Sequence, residues 1–390
     1  MKNLANKSVY IIFFITVLAY AQNPTNHILW DKVNNEPIQY ATIKTNEDYS
    51  ISNENGNFEV NESQGKIFIQ NIAYKKLEID YEFLKQKDTI FMLPNIYELD
   101  EVTLLNIEDK YNKMLKTILT DYALEPHQEK FYLRAVVRKN GDLYKIIDFS
   151  GFIEKKALFS TRSKPMPKKN YTLQLENIRK VGKENRTVDF EMLSFEYFFN
   201  HIVSMYLSPK IYDLSYEVTD DNDLSKIILT PKDPIQTFSR GQYILNDDNT
   251  FNEVEIEFNN QNASFQNVGN VKFRTVYLYT KTNFERNPLN EKIQLNKAIH
   301  KAKTEVYDEK DNKDIFEVNY IFYANPVINK DLKNNVNLKK DIFELNGRYD
   351  EDYWKNNDKL PLTTEMQEFI NEVNSSGKNS DFKTKTNIKE

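Results

Sequence analysis

Apolar and polar residues alternate in short runs from His27 onward. In "PIQYATIKT", Ile38, Tyr40 and Thr42 fall on one side, with Gln39, Ala41 and Ile43 on the other. "GNFEV" sets Phe58 and Val60 on one face, and "KIFIQNIAY" divides Ile67 and Ile69 from Phe68, Gln70 and Ile72. "LEIDYEF" and "DTIFML" continue the series. A period of two marks a half-buried strand, and strands this close together, with turns between, predict a small β-sandwich. Between two of them, "NENGN" places Asn55 before Gly56. That dipeptide predicts a type I′ hairpin, in which both residues take positive φ.

The period changes at Ile107. Ile107, Tyr111, Met114, Leu115, Ile118, Leu119 and Tyr122 recur at helical spacing, which predicts an amphipathic helix ended by Pro126. Alternation then returns. "KFYLRAVVRK", with Phe131, Leu133, Ala135 and Val137 on one face, and "LYKIIDFSGFI" flank Asn140-Gly141, a second predicted hairpin. Residues 191–206 are aromatic on nearly all sides, so a helix buried between layers is expected there. Strands are predicted at 213–218, 226–230, 242–245, 254–258, 271–280, 302–307 and 316–323. Helix, hairpin, helix and a long antiparallel run describe an α+β domain with a large curved antiparallel sheet. The fold class expected is therefore mainly β with some α: an N-terminal seven-stranded sandwich and a larger sheet domain.

The chain of 390 residues opens with Lys2 and Lys7, an apolar run "VYIIFFITVLA" and the step "AYA-Q". A short apolar core between a basic flank and small residues at Ala19 and Ala21 reads as a secretory signal, cleaved after Ala21. The alternative is an uncleaved anchor, although the core is short for a span of about 20 residues. No Cys occurs, which rules out an acylated-cysteine lipoprotein, disulfides and thiolate metal sites. The net charge of −6 is spread, with Lys and Arg interleaved among Asp and Glu, so no nucleic-acid surface is expected. No later segment is apolar for long enough to cross a membrane as a helix. The expected divisions are residues 1–21 (signal), 22–105 (sandwich), 106–374 (α+β domain) and 375–390, a polar tail expected to fray.

Several motifs in order carry a resemblance. "DKVNNEPIQYATI", "SNENGNF", "IQNIAYKKLEI" and "LPNIYELDEVTL" resemble the carboxypeptidase-regulatory-like domain of exported Bacteroidetes proteins. The family's early Gly is His27 here, and the Gly of its "IGY" step is Ala73. The resemblance implies a prealbumin-like seven-stranded sandwich and no catalysis. The hairpin "YILNDDNTFNEVEIEF" is similar to meander strands of half-barrel carriers of lipids and lipoproteins. The ending "GRYDEDYWKNNDKLPLTTEMQEFINEVN" resembles the ends of large exported proteins that share the first module. Tyr349, Tyr353 and Trp354 there are the candidate functional residues, either a packing plug or a contact surface. A helix follows, expected to be capped by Thr364 with Gln367 three residues on.

Chemistry is sparse. Four His are present, none in an H-E-x-x-H arrangement. His127 with Glu125 and Glu129 has strand spacing for a metal, set against an ordinary solvated loop around Pro126. Asp220, Asp221 and Asp223 lack the Gly and Glu of a helical calcium loop. No nucleophile elbow, P-loop or dinucleotide fingerprint occurs. Catalytic, cofactor and metal residues are therefore all expected to be none. The reading is an exported protein, periplasmic or associated with the outer membrane, that binds an envelope component, glycan or lipid without catalysis. The alternative is an envelope-polymer hydrolase using a carboxylate pair in the larger domain.

Overall fold

The computed structural model describes residues 25–46, 48–61, 65–99, 107–161, 164–184, 193–204, 207, 209–219, 224–327, 330–357, 359–375 and 383–388. The expected signal segment and the acidic run 220–223 lie outside these residues.

The first module holds β1 (Thr25–Asp31), β2 (Thr42–Lys44), β3 (Tyr49–Ile51), β4 (Asn57–Val60), β5 (Lys66–Gln70), β6 (Leu77–Asp80) and β7 (Thr89–Met92). One sheet runs β4-β1-β7 and the other β3-β2-β5-β6. The alternating residues Leu29, Ile43, Phe58, Ile67, Ile69 and Ile90 close between them. This is a seven-stranded sandwich, as the alternation predicts. "LEIDYEF" is only half strand. After β6, one helical turn, α1 (Tyr81–Leu84), buries both Tyr81 and Leu84, which a strand would send to opposite faces.

The Asn55-Gly56 step is not the hairpin expected. Strands β3 and β4 belong to different sheets, so the chain turns a corner across the sandwich edge. Gly56 N donates to Asn53 O at 2.9 Å. The Asn53 carboxamide oxygen accepts from Asn55 N and Asn57 N at 2.9 and 3.0 Å. Gly56 alone takes positive φ there, +76°. At Asn140-Gly141 both residues do, +54° and +96°, and the true two-residue hairpin is that one.

The larger domain comprises β8 (Tyr97–Leu99), α2 (Ile107–Thr120), β9 (His127–Lys139), β10 (Asp142–Lys155), β11 (Tyr171–Glu184), α3 (Phe195–Ile202), β12 (Tyr212–Thr219), β13 (Leu224–Pro231), β14 (Ser239–Asn246), β15 (Phe251–Asn259), β16 (Gln266–Val268), β17 (Val271–Arg286), β18 (Ile293–Tyr307), β19 (Lys313–Pro326), α4 (Glu351–Asn357), α5 (Thr364–Ser375) and β20 (Lys383–Thr386). Its sheet has 13 strands in the order β20-β11-β10-β9-β19-β18-β17-β15-β14-β13-β12-β8, with β16 beside β17. Strand β8 already belongs to this sheet, so the chain leaves the sandwich before residue 97 rather than at 105. The tail expected to fray supplies β20, paired with β11. Helix α2 stops at Thr120, short of Pro126, and leaves Leu119 exposed.

The sheet is covered on both faces. Phe131, Leu133, Ala135 and Val137 of β9 face α2 and α3 in the main core. Helix α3 buries Phe195, Phe198, Phe199 and Ile202, while Tyr197 stays open to solvent. We call this side the inner face. Its rings are in contact: Phe195 lies 5.1 Å from Phe149, and Phe198 5.4 Å from Tyr320. On the outer face, Tyr132, Ile299, Ile321 and Tyr323 meet Tyr40 and Ile51 of the sandwich, with Trp354 and Leu360. Val136, Ile146 and Val181 meet Met366, Phe369, Ile370 and Val373 of α5. The α5 cap is Thr363, whose Oγ1 accepts from Met366 N at 3.2 Å. It precedes the expected Thr364 by one residue, so Gln367 is not in capping-box register.

Candidate functional site

Of the three aromatic residues singled out near the C-terminus, only Trp354 is fully packed away. Trp354, on α4, is 3% exposed. Its ring meets Tyr132 edge-on at 6.3 Å and Tyr353 at 5.2 Å, and the Arg179 guanidinium lies 4.8 Å from it. Tyr349 and Tyr353 pack partly buried beside it. The turn before α4 is held by Asp350, which accepts from Tyr353 N at 3.0 Å.

Beneath Trp354 lies a buried ionic knot. Asp148 on β10 receives Arg134 Nε at 2.7 Å, Arg179 Nε at 2.7 Å and Tyr132 OH at 2.9 Å. Asp148 and Arg134 are both 0% exposed. Burial alone would raise the Asp148 carboxyl, but the two guanidiniums overcome it and hold it below its ordinary value. Arg134 also donates to Pro361 O at 3.2 Å, the same carbonyl that Asn53 Nδ2 of the sandwich reaches at 3.3 Å. The knot thus fastens the sheet, the C-terminal segment and the Asn53 corner together.

The histidines are scattered. His27 bonds Lys87 O and Thr25 Oγ1 within the sandwich. His201 and His300 meet edge-on at 4.5 Å on the inner face, and burial pushes His300 down to about 3. His127 and Glu129 are buried together, with Lys155 2.5 Å from Glu129. Glu125 points away to Lys164, so the proposed trio is not assembled. Among the described residues no group of three or more His, Asp or Glu could hold a metal.

What the structure does assemble is a cleft. It opens between the sandwich, the outer face of the sheet and α4, with a volume of about 920 Å³. The sandwich contributes residues 43–46, 48–50 and 59–61. Strands β9, β10, β18 and β19 contribute Tyr132, Ser150, Gln294, Asn296, Tyr323 and Asn325, and α4 adds Tyr353 and Asn356. Tyr49 stacks on Tyr323 at 4.0 Å. Several of its charges are paired, Lys44 with Glu285, Lys359 with Asp48 at 2.6 Å and Arg286 with Asp248 at 2.9 Å, while Lys130 also lines the cleft. Beneath the cleft surface and closed to solvent, the Gln294 amide, Ser50 Oγ and Ser150 Oγ have no hydrogen-bond partner among the described residues. Sequence patterning found Tyr353 but missed the rest. Ser150 and Gln294 keep the ordinary alternation of their strands, beside Asp148 and Asn296, so no local signal marks them.

A second contact joins the modules beside the cleft. Lys297 Nζ donates to Tyr40 O at 2.7 Å. Burial pushes this lysine down to about 8, with Glu253 opposing. Tyr40 itself takes positive φ, +55°, and its hydroxyl is held by Glu54 and Asn319 at 2.9 Å each.

Among the described residues, no helix is long and apolar enough to cross a membrane. No family model matches the chain, and no curated protein matches it. Among solved structures, the crystal structure of a LolA superfamily protein from Nitrosomonas europaea is similar at 11% identity, covering 57% of this chain and 95% of that one, with a TM-score of 0.19.

Proposed function

We propose that this is an exported cell-envelope protein that binds a ligand, without turning it over, in the cleft between its sandwich and its large sheet. The carrying observation is the cleft itself: about 920 Å³, built by both modules, with Tyr49, Asn296, Asn325, Tyr353 and Asn356 among the residues along it. A site between domains is also where small-molecule pockets concentrate. Two carboxylates of the lining, Asp48 and Glu285, are engaged by lysines. A hydrolase would need a carboxyl pair facing its substrate across the opening. The inner face, where a half-barrel carrier would hold its cargo, is filled by aromatic rings of α3 and the sheet. Export rests on the "AYA-Q" step, and the sandwich motifs support an envelope address of the Bacteroidetes type.

The test is hydrogen exchange on the full mature chain with and without envelope extract. Protection confined to residues 43–50, 285–296 and 353–359, with the extract chemically unchanged, is the expected result. Protection elsewhere, or breakdown of an extract polymer, refutes the reading. N-terminal sequencing from the envelope fraction should begin at Gln22; detection of Met1 sinks the export assignment.

A further inference from the structure

The sandwich carries a face that the rest of the chain leaves bare. Strand β1 contains Ile28-Leu29-Trp30, and β7 runs through Ile90-Phe91-Met92 to Leu93. A strand with one covered face alternates apolar with polar, whereas a continuous apolar run marks a strand covered on both faces. Leu29, Ile90 and Met92 take the core side. Ile28, Trp30 and Phe91 therefore point outward, and the parallel ladder sets Trp30 beside Phe91. Phe91 is 54% exposed, Leu93 49%, and Val33, just past β1, 65%, so no described element covers this face.

We propose that this face docks on an anionic lipid bilayer. The docking is independent of the cleft and of what the cleft holds. Two features choose a bilayer over a protein partner. The first is the set of lysines at the margin. Lys32 N donates to Met92 O at 3.1 Å. Lys76 follows Lys75, whose N donates to Leu93 O at 2.8 Å, and the Lys87 ammonium lies 5.5 Å from the Phe83 ring. Lys32, Lys76 and Lys87 are all exposed, and no ion pair holds them among the described residues. The unpaired acids nearby are Glu36 and Asp88, while Glu82 is taken by Lys85 at 3.5 Å, which leaves lysine in small excess. Protein interfaces are depleted in Lys, whereas faces that lie on bilayers combine Lys with Trp, Phe and Leu.

The second feature is the kind of apolar residue and its placement. Trp30 is half-buried, and its indole N–H donates to Asn35 Oδ1 at 3.1 Å. An apolar ring with a polar tip suits the headgroup level of a membrane. Phe83, 50% exposed, extends the apolar surface beyond the start of β7. From Lys87 to Leu93 an extended chain covers about 20 Å, at about 3.3 Å per residue. Lysine stems can lie along apolar surface while their ammonium groups reach lipid phosphates. None of these residues lines the cleft.

The experiment is co-sedimentation of the full mature chain with two kinds of vesicle, phosphatidylcholine alone and phosphatidylcholine mixed with phosphatidylglycerol, with tryptophan emission read on each. Binding to the mixed vesicles with a blue shift is expected, because Trp30 has surface open to solvent and Trp354 is packed away. Trp30→Phe should remove the shift. Phe91→Ser with Leu93→Ser should weaken binding about tenfold or more. Both side chains are already half-exposed, so the melting temperature should hold. Lys32→Gln with Lys87→Gln should weaken binding to the mixed vesicles about tenfold or more, and added salt should weaken the wild type. No binding to mixed vesicles, equal binding to both kinds, a shift that persists in Trp30→Phe, or binding that ignores both double variants overturns the inference. A dimer that Phe91→Ser with Leu93→Ser disperses also overturns it, with a second copy as the occupant.

Discussion

Asp148→Asn should be among the most damaging conservative changes available to this protein. The substitution keeps shape and removes one charge. Asp148 now offers two oxygens, one to Arg134 Nε and Tyr132 OH, the other to Arg179. An asparagine offers one oxygen, and its amino group would face a guanidinium N–H. Arg134 is fully buried, so water cannot replace the lost acceptor. Removing one partner of a buried ion pair costs about 3–5 kcal/mol, and here one carboxylate serves two cations. Urea denaturation measures this directly, with Trp30 reporting the sandwich and Trp354 the outer face of the sheet. Replacing all three charges by apolar residues, Arg134→Met, Asp148→Leu and Arg179→Met, should cost less than Asp148→Asn alone, because no unpaired charge stays behind. Acid adds a second test. The native carboxyl is held below its ordinary value, so its contribution is complete above the unfolded value of about 3.9. It is lost as pH falls through the native value, and the gap between wild type and Asp148→Asn must narrow there. A loss of less than about 1 kcal/mol at neutral pH, well under the cost of a broken buried pair, would refute the account of the knot.

Three further outcomes follow from particular contacts. Gly56→Val should cost roughly 1–3 kcal/mol from left-handed strain alone. It should cost more in fact, since a Cβ there would lie 2.5 Å from Leu29 O; an unchanged melting curve would contradict the corner geometry. Trp354→Ala should cost about 3–5 kcal/mol and Trp354→Phe much less; unchanged stability with lost ligand binding would make this loop a contact surface instead of a plug. Lys297 titrates near 8 in the folded protein against about 10.4 unfolded. At this site the unfolded chain therefore binds more protons between those values, so the lysine's own contribution to stability should rise with pH from about 8 to about 10. Lys297→Met should abolish that rise, as read from denaturation midpoints of both proteins across the window.

The sandwich was legible because β1, β4, β5 and β7 keep strict alternation, although "PIQYATIKT" does not: Tyr40 takes positive φ and turns outward, and Ile38, Ala41 and Ile43 share the core. The Asn140-Gly141 hairpin was legible because both residues accept positive φ. The same dipeptide misled at Asn55-Gly56, where the turn connects two sheets and the ladder that defines a hairpin is absent. Strand β11 escaped notice because Asn177, Arg179 and Lys180 interrupt its apolar pattern. Each is buried, and Arg179 and Lys180 find partners only in the folded chain, on Asp148 and on the carbonyls of Phe343 and Leu345. The Trp354 plug could be anticipated from a lone large aromatic near the chain end. The cleft could not, since Tyr49, Ser150, Gln294, Tyr323 and Asn356 come from distant segments and no local pattern ties them.

The middle of the large sheet sets the order in which the molecule can come together. Strand β9 lies between β10, its hairpin neighbour, and β19, with Lys139 opposite Phe316 and Glu129 opposite Pro326. The sandwich, by contrast, completes its strand ladders within residues 25–92. It can form early and alone, whereas the sheet must wait until the chain has been made as far as residue 326. Until then it exists as two halves, each presenting a long unpaired edge. Pairing across so long a loop is slow, and open edges invite pairing with other chains. A chain travelling unfolded through an export channel would pass this stage with both halves still apart. One that lingers at synthesis with β9 made and β19 missing would be exposed to aggregation. Shortening the wait, by a circular permutation that makes β19 and β9 neighbours in sequence, should speed refolding without altering any contact in the finished sheet.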